Sequence, residues 1–221
     1  MSFEQQTLAV IGGTGAEGGG LALRWAKAGH RVIIGSRDAT KAAAAAEALN
    51  AILGGRAIEG MESNAAVSAA GIAILAVPFS AQATTAEGLK AALQGKILVD
   101  VTVPLMPPKV SLVQLPKSGS CVVDLQKRLG PEIRVVSAFQ NVSAHKLKDM
   151  DYKIACDVLV CADDKAARQA VIALAADAGL RGIDAGPLAN STVAESLTSV
   201  LIWINKTYKI PDAGITITGI A

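Results

Sequence analysis

Three glycines, Gly13, Gly15 and Gly18, fall in the GxGxxG spacing inside the run Gly12-Gly13-Thr14-Gly15-Ala16-Glu17-Gly18. At a strand-to-helix junction this spacing binds a pyrophosphate. The first glycine makes the tight turn, the second lets the anion approach the backbone, and the third lets helix and strand pack closely beneath the helix N-terminus. Without that context the same letters describe a glycine-rich surface turn. Where a fold of this kind that prefers NAD places an acidic residue for the ribose 2′-hydroxyl, the chain reads Gly35-Ser36-Arg37. Arg37 can pair with a doubly charged 2′-phosphate, Ser36 can donate a hydrogen bond to it, and Lys41 follows one helical turn later. NADP is favoured over NAD. The competing reading leaves Arg37 and Lys41 solvated and gives the acidic residue's work to Asp38.

The remaining polar residues suit a reaction carried by positioning. The chain has no nucleophile motif, no metal-ligand cluster and two histidines. His30 follows a helix C-terminus and reads as structural. His145 falls near the expected cleft. Asn141 and Ser143 are neutral hydrogen-bonding candidates at a strand's C-terminal end, where ligands bind in open α/β sheets, or members of a turn between domains. Hydride transfer from a nicotinamide needs two reacting groups held together in a dry cleft, so no catalytic residue in the strict sense is expected beyond these candidates. Cys121, Cys156 and Cys161 are odd in number and lack CxxC spacing, as befits buried thiols in a reducing compartment.

These residues need a frame, and the apolar pattern supplies one. A first strand over Leu8 to Ile11 leads through the glycine run into a helix with Leu21, Trp25 and Ala28 on one face. Gly29 is its expected cap, and a second strand runs over Arg31 to Ile34. After an Ala-rich helix near Lys41 to Leu53, short strands are expected around Ala57 to Glu59, Ile72 to Val77, Ile97 to Val101 and Val135 to Ser137, with helices between most of them. That alternation predicts an α/β fold, a Rossmann-type doubly wound parallel sheet. Past His145 the charge density rises and the rhythm restarts with a strand over Asp157 to Cys161 and a helix over Asp164 to Ala178. The boundary is therefore placed between a dinucleotide-binding domain over 1–145 and a smaller C-terminal α/β domain over 146–221 that closes the substrate cleft. In the last helix Thr192 and Glu195 are spaced as a capping box. Val193, Leu197, Val200, Leu201 and Ile204 form one stripe, expected to pack as core or as a homodimer interface.

Composition narrows the function classes. Twenty-one Lys and Arg against 19 Asp and Glu give a net charge of +2, which offers no support for nucleic-acid binding. Residues are 51% hydrophobic but only 3% aromatic, so the core is built from small aliphatic side chains and disorder is excluded. The uncharged run from Ala65 to Ala86 is long enough to raise the question of a membrane span. Gly71 and Pro78 interrupt it, and Ser68, Ser80, Gln82, Thr84 and Thr85 stud it, so no membrane partner is expected. Met1 to Thr7 lacks a basic start, so a cytoplasmic location is expected rather than export.

The sequence resembles the NADPH-dependent reductases of the deazaflavin coenzyme F420. The resemblance lies in Gly12-Gly13-Thr14-Gly15, in Gly35-Ser36-Arg37 with Lys41, in Val77-Pro78-Phe79, and in Asp184-Ala185-Gly186-Pro187-Leu188-Ala189-Asn190-Ser191 leading to Glu195-Ser196-Leu197-Thr198. It implies that Gly13, Thr14, Gly15, Ala16 and Glu17 contact the pyrophosphate and that Ser36, Arg37 and Lys41 hold the 2′-phosphate. It further implies that Val77, Pro78 and Phe79 contact the cofactor, Phe79 standing where the family often has Trp, and that Pro104 and Ala144 line the nicotinamide side of the cleft. Ala138-Phe139-Gln140-Asn141-Val142-Ser143-Ala144 departs from an archaeal pattern Ala-Leu-His-Thr-Ile-Pro-Ala beside the second-substrate pocket. The hydride partner is therefore coenzyme F420, or else a flavin or a small imine or carbonyl substrate. A non-catalytic NADP-sensing module is the reading from another class.

Overall fold

The computed structural model describes residues 5–220, so Met1 to Glu4, on which the reading of the N-terminus rests, lie outside the described residues. Six strands form one parallel sheet: β1 (Thr7–Ile11), β2 (Arg31–Ser36), β3 (Ile58–Glu62), β4 (Ile72–Leu75), β5 (Ile97–Asp100) and β6 (Arg134–Ser137), in the order β3-β2-β1-β4-β5-β6. Val10 sits between Ile34 on one side and Ile74 on the other, and Leu75 pairs with Asp100. The order reverses between β1 and β4, which opens a crevice at the carboxyl ends of the strands. Helices α1 (Ala16–Lys27), α2 (Ala39–Leu53), α3 (Ser63–Ala69), α4 (Phe79–Gly88), α5 (Cys121–Leu129) and α6 (Ala144–Leu147) follow β1 to β6 in turn. The central strands are buried on both faces because alternate residues feed two cores: Leu8 and Val10 pack with Leu21 and Trp25, while Ala9 and Ile11 pack with Val67 and Leu125.

A second parallel pair, β7 (Asp157–Val160) and β8 (Arg181–Asp184), flanks α7 (Lys165–Asp177). An antiparallel bridge between Ser137 and Cys161 joins this pair to the end of β6. Helix α1 does most of the fastening. The indole of Trp25 is fully buried, donates to the Leu174 carbonyl at 2.8 Å, and meets Phe139 edge-on with centroids 5.8 Å apart. Arg24 spreads its guanidinium over the carbonyls of Leu147 (2.9 Å), Ala178 (3.1 Å) and Asp149 (2.8 Å). A β-carbon on Gly20 would stand 2.4 Å from that of Leu147, so α6 lies directly against α1.

One expectation for the last helix, α8 (Ser191–Tyr208), needs correction. Thr192 and Glu195 do not form a capping box: the helix starts two residues earlier than that box requires, and its cap position, Asn190, makes no side-chain bond to it. Thr192 instead donates to the Gly119 carbonyl at 3.0 Å, and Glu195 accepts from Ser120 Oγ, Cys121 N and Val122 N, capping α5. The N–H groups of Cys121 and Val122, orphans at the start of α5, gain a charge-assisted partner in this buried carboxylate. The apolar stripe also divides. Leu201 is buried, whereas Val193 and Val200 are 60% and 44% exposed, beside Trp203 at 56%. Truncating the α1 clamp by Trp25→Ala is expected to lower stability by about 3–5 kcal/mol in urea unfolding. A loss below about 1 kcal/mol would remove Trp25 from this role.

Candidate active site

The site begins where β1 ends. Gly12 turns at φ +88°, and a β-carbon there would stand 2.2 Å from the Ala76 carbonyl oxygen, so only glycine lets β1 and the β4 exit close on each other. Gly15 N donates to Gly12 O at 2.9 Å to close the turn. Gly15 is the cap position of α1 and carries no side chain to satisfy the first N–H groups, so they and the helix dipole face the crevice. A β-carbon on Gly15 would meet only Gly12 O, at 3.3 Å. That contact is tight but far less severe than the one at Gly12, and the remaining side of Gly15 is open to the crevice.

A cavity of about 600 Å³ lies along this turn, lined by Thr14, Gly15, Ser36, Arg37, Val77 and Pro78, and on its far wall by Ser63, Ser80, Thr84 and Thr85. The two glycine-turn residues and the Ser36-Arg37 pair thus share one cavity. Asp38 does not line it: Asp38 Oδ1 accepts from Thr40 N (2.9 Å) and Lys41 N (3.2 Å) and caps α2. That occupation leaves Arg37 as the charge at this end of the cavity. Lys41 is exposed on the first turn of α2, and Gly13 is buried behind the turn. Ala16 and Glu17 begin α1. Phe79 opens onto a neighbouring cavity of about 390 Å³ with Gln82 and Cys121. Pro104 is buried and Ala144 half-buried, and neither lines these two cavities.

The segment after β6 is locked from within. Phe139 is wholly buried at φ +72°, a strained backbone for an aromatic residue, held by its contact with Trp25. Asn141 is buried and donates to Asp157 O at 2.7 Å, so its amide ties β6 to β7. Gln140 donates to Asp100 O at 2.8 Å and Ser137 Oγ at 2.9 Å, while its own carbonyl accepts from Thr198 Oγ1 at 2.7 Å. Ser143 precedes α6 without a side-chain bond to it and borders a small cavity with Lys146, Tyr152 and Asp212, and His145 is exposed. His30 is buried; its Nδ1 accepts from Gln6 N and its Nε2 meets Asp177 at 2.9 Å.

Buried acids dominate the electrostatics beneath the crevice. Loss of water lifts the Asp100 carboxyl to about 6, opposed by hydrogen bonds from Thr102 and Gln82. Glu17 rises to about 8, first through loss of water and then through the charge of Asp100. Burial pushes the Cys121 thiol up, and the charges of Glu195 and Asp100 add to it; Cys161 rises to about 11, again chiefly by burial. Neither thiol is an available nucleophile.

Sheet order, an uncapped helix N-terminus and a cavity with Arg37 at one end together define a doubly wound, Rossmann-type α/β protein. Residues 7–104 match the family model described as NADP oxidoreductase, coenzyme F420-dependent. The chain is 41% identical to the F420-dependent NADP reductase of Methanocaldococcus jannaschii, with 96% of this chain and 98% of that protein aligned. It is 40% identical to the protein of the same name from Methanothermobacter marburgensis, over the same shares. A crystal structure from Arthrobacter sp. FB24 superposes with a TM-score of 0.78 at 27% identity, covering 96% of this chain and 99% of that one. The chain belongs to the family of F420-dependent NADP reductases. At the level of fold alone it is also similar to a reductive aminase from Aspergillus terreus, with a TM-score of 0.60 at 20% identity, covering 93% of this chain and 62% of that one.

Arg37→Ala removes the one charged side chain that lines this cavity. It is expected to weaken NADPH binding roughly tenfold or more, with NADH binding little changed, in fluorescence titrations of both cofactors. Equal losses for the two would contradict the placement of the phosphate.

Proposed function

We propose that the protein transfers a hydride between NADP(H) and coenzyme F420, with the dinucleotide laid across the switch between β1 and β4. The observation that carries this reading is the junction of an uncapped glycine turn with Ser36 and Arg37 in one cavity, in a chain whose relatives over nearly its whole length are named F420-dependent NADP reductases. The residues fit the group. Gly15 leaves an anion's path free, the α1 N–H groups have no side-chain cap, and Arg37 supplies charge at the far end.

In this reading Gly13, Thr14, Gly15, Ala16 and Glu17 surround the pyrophosphate, and Ser36, Arg37 and Lys41 hold the 2′-phosphate. Val77, Pro78 and Phe79 carry the dinucleotide past β4, and Pro104 and Ala144 border the nicotinamide. NADPH supplies the hydride. The chain orients both rings and keeps water from between them. Asn141 contributes by fixing the β6 exit to β7, and Ser143 and His145 are polar groups at the rim. Residues 1–145 form the dinucleotide domain and 146–221 the part that closes the cleft over the deazaflavin. The exposed Val193, Val200 and Trp203 on α8 form the contact of a homodimer working in the cytoplasm. No helix of the described residues is long and apolar enough to cross a membrane.

The direct test offers the purified protein NADPH with coenzyme F420, FMN or FAD in parallel and follows loss of the dihydronicotinamide absorbance. Rapid oxidation with the deazaflavin is the expected result. Turnover only with the flavins, or with neither, would contradict the assignment of the hydride partner.

A further inference from the structure

Helix α4 supplies one wall of the large cavity through Ser80, Ala81, Thr84 and Thr85, and β5 leads into the segment that carries Pro104. Both leave the same edge of the sheet, and a dinucleotide laid across it needs the two at a fixed spacing. The wall is thinly anchored, because α4 buries two of its residues, Gln82 and Ala86. Ala86 brings a single methyl group to the core, so directional restraint falls to Gln82.

The partner of Gln82 is Asp100. This residue ends β5 and is wholly buried, level with Leu75 on β4 and Ser137 on β6. Its Oδ2 accepts from Gln82 Nε2 at 2.5 Å and its Oδ1 from Thr102 N at 2.9 Å. Its backbone carbonyl accepts from Gln140 Nε2 at 2.8 Å, which brings the exit of β6 to the same point. We propose that Asp100 is a positioning residue for NADP(H): its carboxylate holds α4 through Gln82 and the β5 exit through Thr102, and so sets the spacing between the two walls of the crevice. This rests on the reading of the crevice as the dinucleotide site, and it adds two residues, Asp100 and Gln82, that line no part of the large cavity. In that reading Thr84 and Thr85, which share the cavity with Arg37, face the adenosine half, while Thr102 leads to Pro104 on the nicotinamide side.

A carboxylate buried in this way costs stability. Asp100 joins none of the ion pairs among the described residues, and the charge of Glu195 adds to its isolation. Loss of water lifts its carboxyl to about 6, which still leaves the ionised form in the majority at neutral pH. That form offers an acceptor to each donor, whereas a neutral acid turns one oxygen into an O–H facing an N–H group. An apolar side chain would avoid the cost of the charge but would leave Gln82 Nε2 and Thr102 N without this partner. What the acid contributes is geometry: two oxygens in one rigid plane, each tied to a different wall of the crevice.

The test measures, in the full chain, the dissociation constants of NADPH and of adenosine 2′,5′-bisphosphate, which lacks the nicotinamide half, together with the melting temperature. Gln82→Met keeps the space filled but frees the helix, and both ligands should bind roughly fivefold or more weakly. Asp100→Ala frees both walls, so NADPH should lose more than the bisphosphate, and adding Gln82→Met to it should weaken the bisphosphate no further. Asp100→Asn is the conservative arm: with the Gln82 amide turned over, the new amide accepts from Thr102 N and donates to Gln82 Oε1. Affinity for both ligands should then return to within about twofold of that of the unmodified protein. A residue that served stability alone would lower the melting temperature and leave the dissociation constants of the folded protein unchanged. That result, additive losses in the double variant, or a loss in Asp100→Asn as large as in Asp100→Ala would overturn the proposal. Gln82→Met decides the matter by itself should Asp100→Ala not fold. If the unmodified protein binds neither ligand, the assignment of the crevice falls, and the proposal with it.

Discussion

Everything in the cleft depends on the approach of two backbones at Gly12, where a β-carbon would collide with the Ala76 carbonyl. That contact brings the end of β1 against the exit from β4 and seats the start of α1 over the switch of the sheet. The unpaired N–H groups of the helix then point where a phosphate can reach them. The same helix fastens the remainder of the molecule: Gly20 admits α6, Arg24 gathers carbonyls from the segment around it, and Trp25 reaches α7 and Phe139. A shift of α1 would misplace the phosphate turn and loosen the second sheet together.

The cleft is electrically lopsided. Arg37 lies exposed at one end, where it needs no desolvation to meet a phosphate. At the other end Asp100 lies out of water, paired with no cation among the described residues, which raises its carboxyl, and the charge of Asp100 adds to the rise of Glu17. Burying acids this way costs stability unless a ligand or a proton offsets it. The neutral hydrogen bonds from Thr102 and Gln82 hold Asp100 in place while leaving its excess charge uncompensated.

Short-range signals in the sequence survive in the structure, and long-range ones do not. Six strands, the glycine turn and the Ser36-Arg37 pair were legible because each depends on neighbours within a few residues, and the parallel sheet follows from their spacing. The role of Glu195 was not: its partners at Ser120 and Cys121 lie far off in sequence, and the local spacing with Thr192 imitates a capping box. The wall formed by Ser80, Thr84 and Thr85 left a trace as polar studs in an otherwise apolar run, which served to dismiss a membrane span although it also marked a polar-lined cavity. Asn141 looked like a ligand group because it follows a strand's end, yet its amide closes a gap between two sheets.

A crystal structure of the protein with NADP+ bound tests the central claim most directly. The account requires the 2′-phosphate within hydrogen-bonding distance of Arg37 and Ser36, the pyrophosphate over Gly15 and the start of α1, and the nicotinamide on the β4–β5 side of the switch. A dinucleotide bound in the reverse sense, or one whose phosphates lie away from the glycine turn, would contradict it.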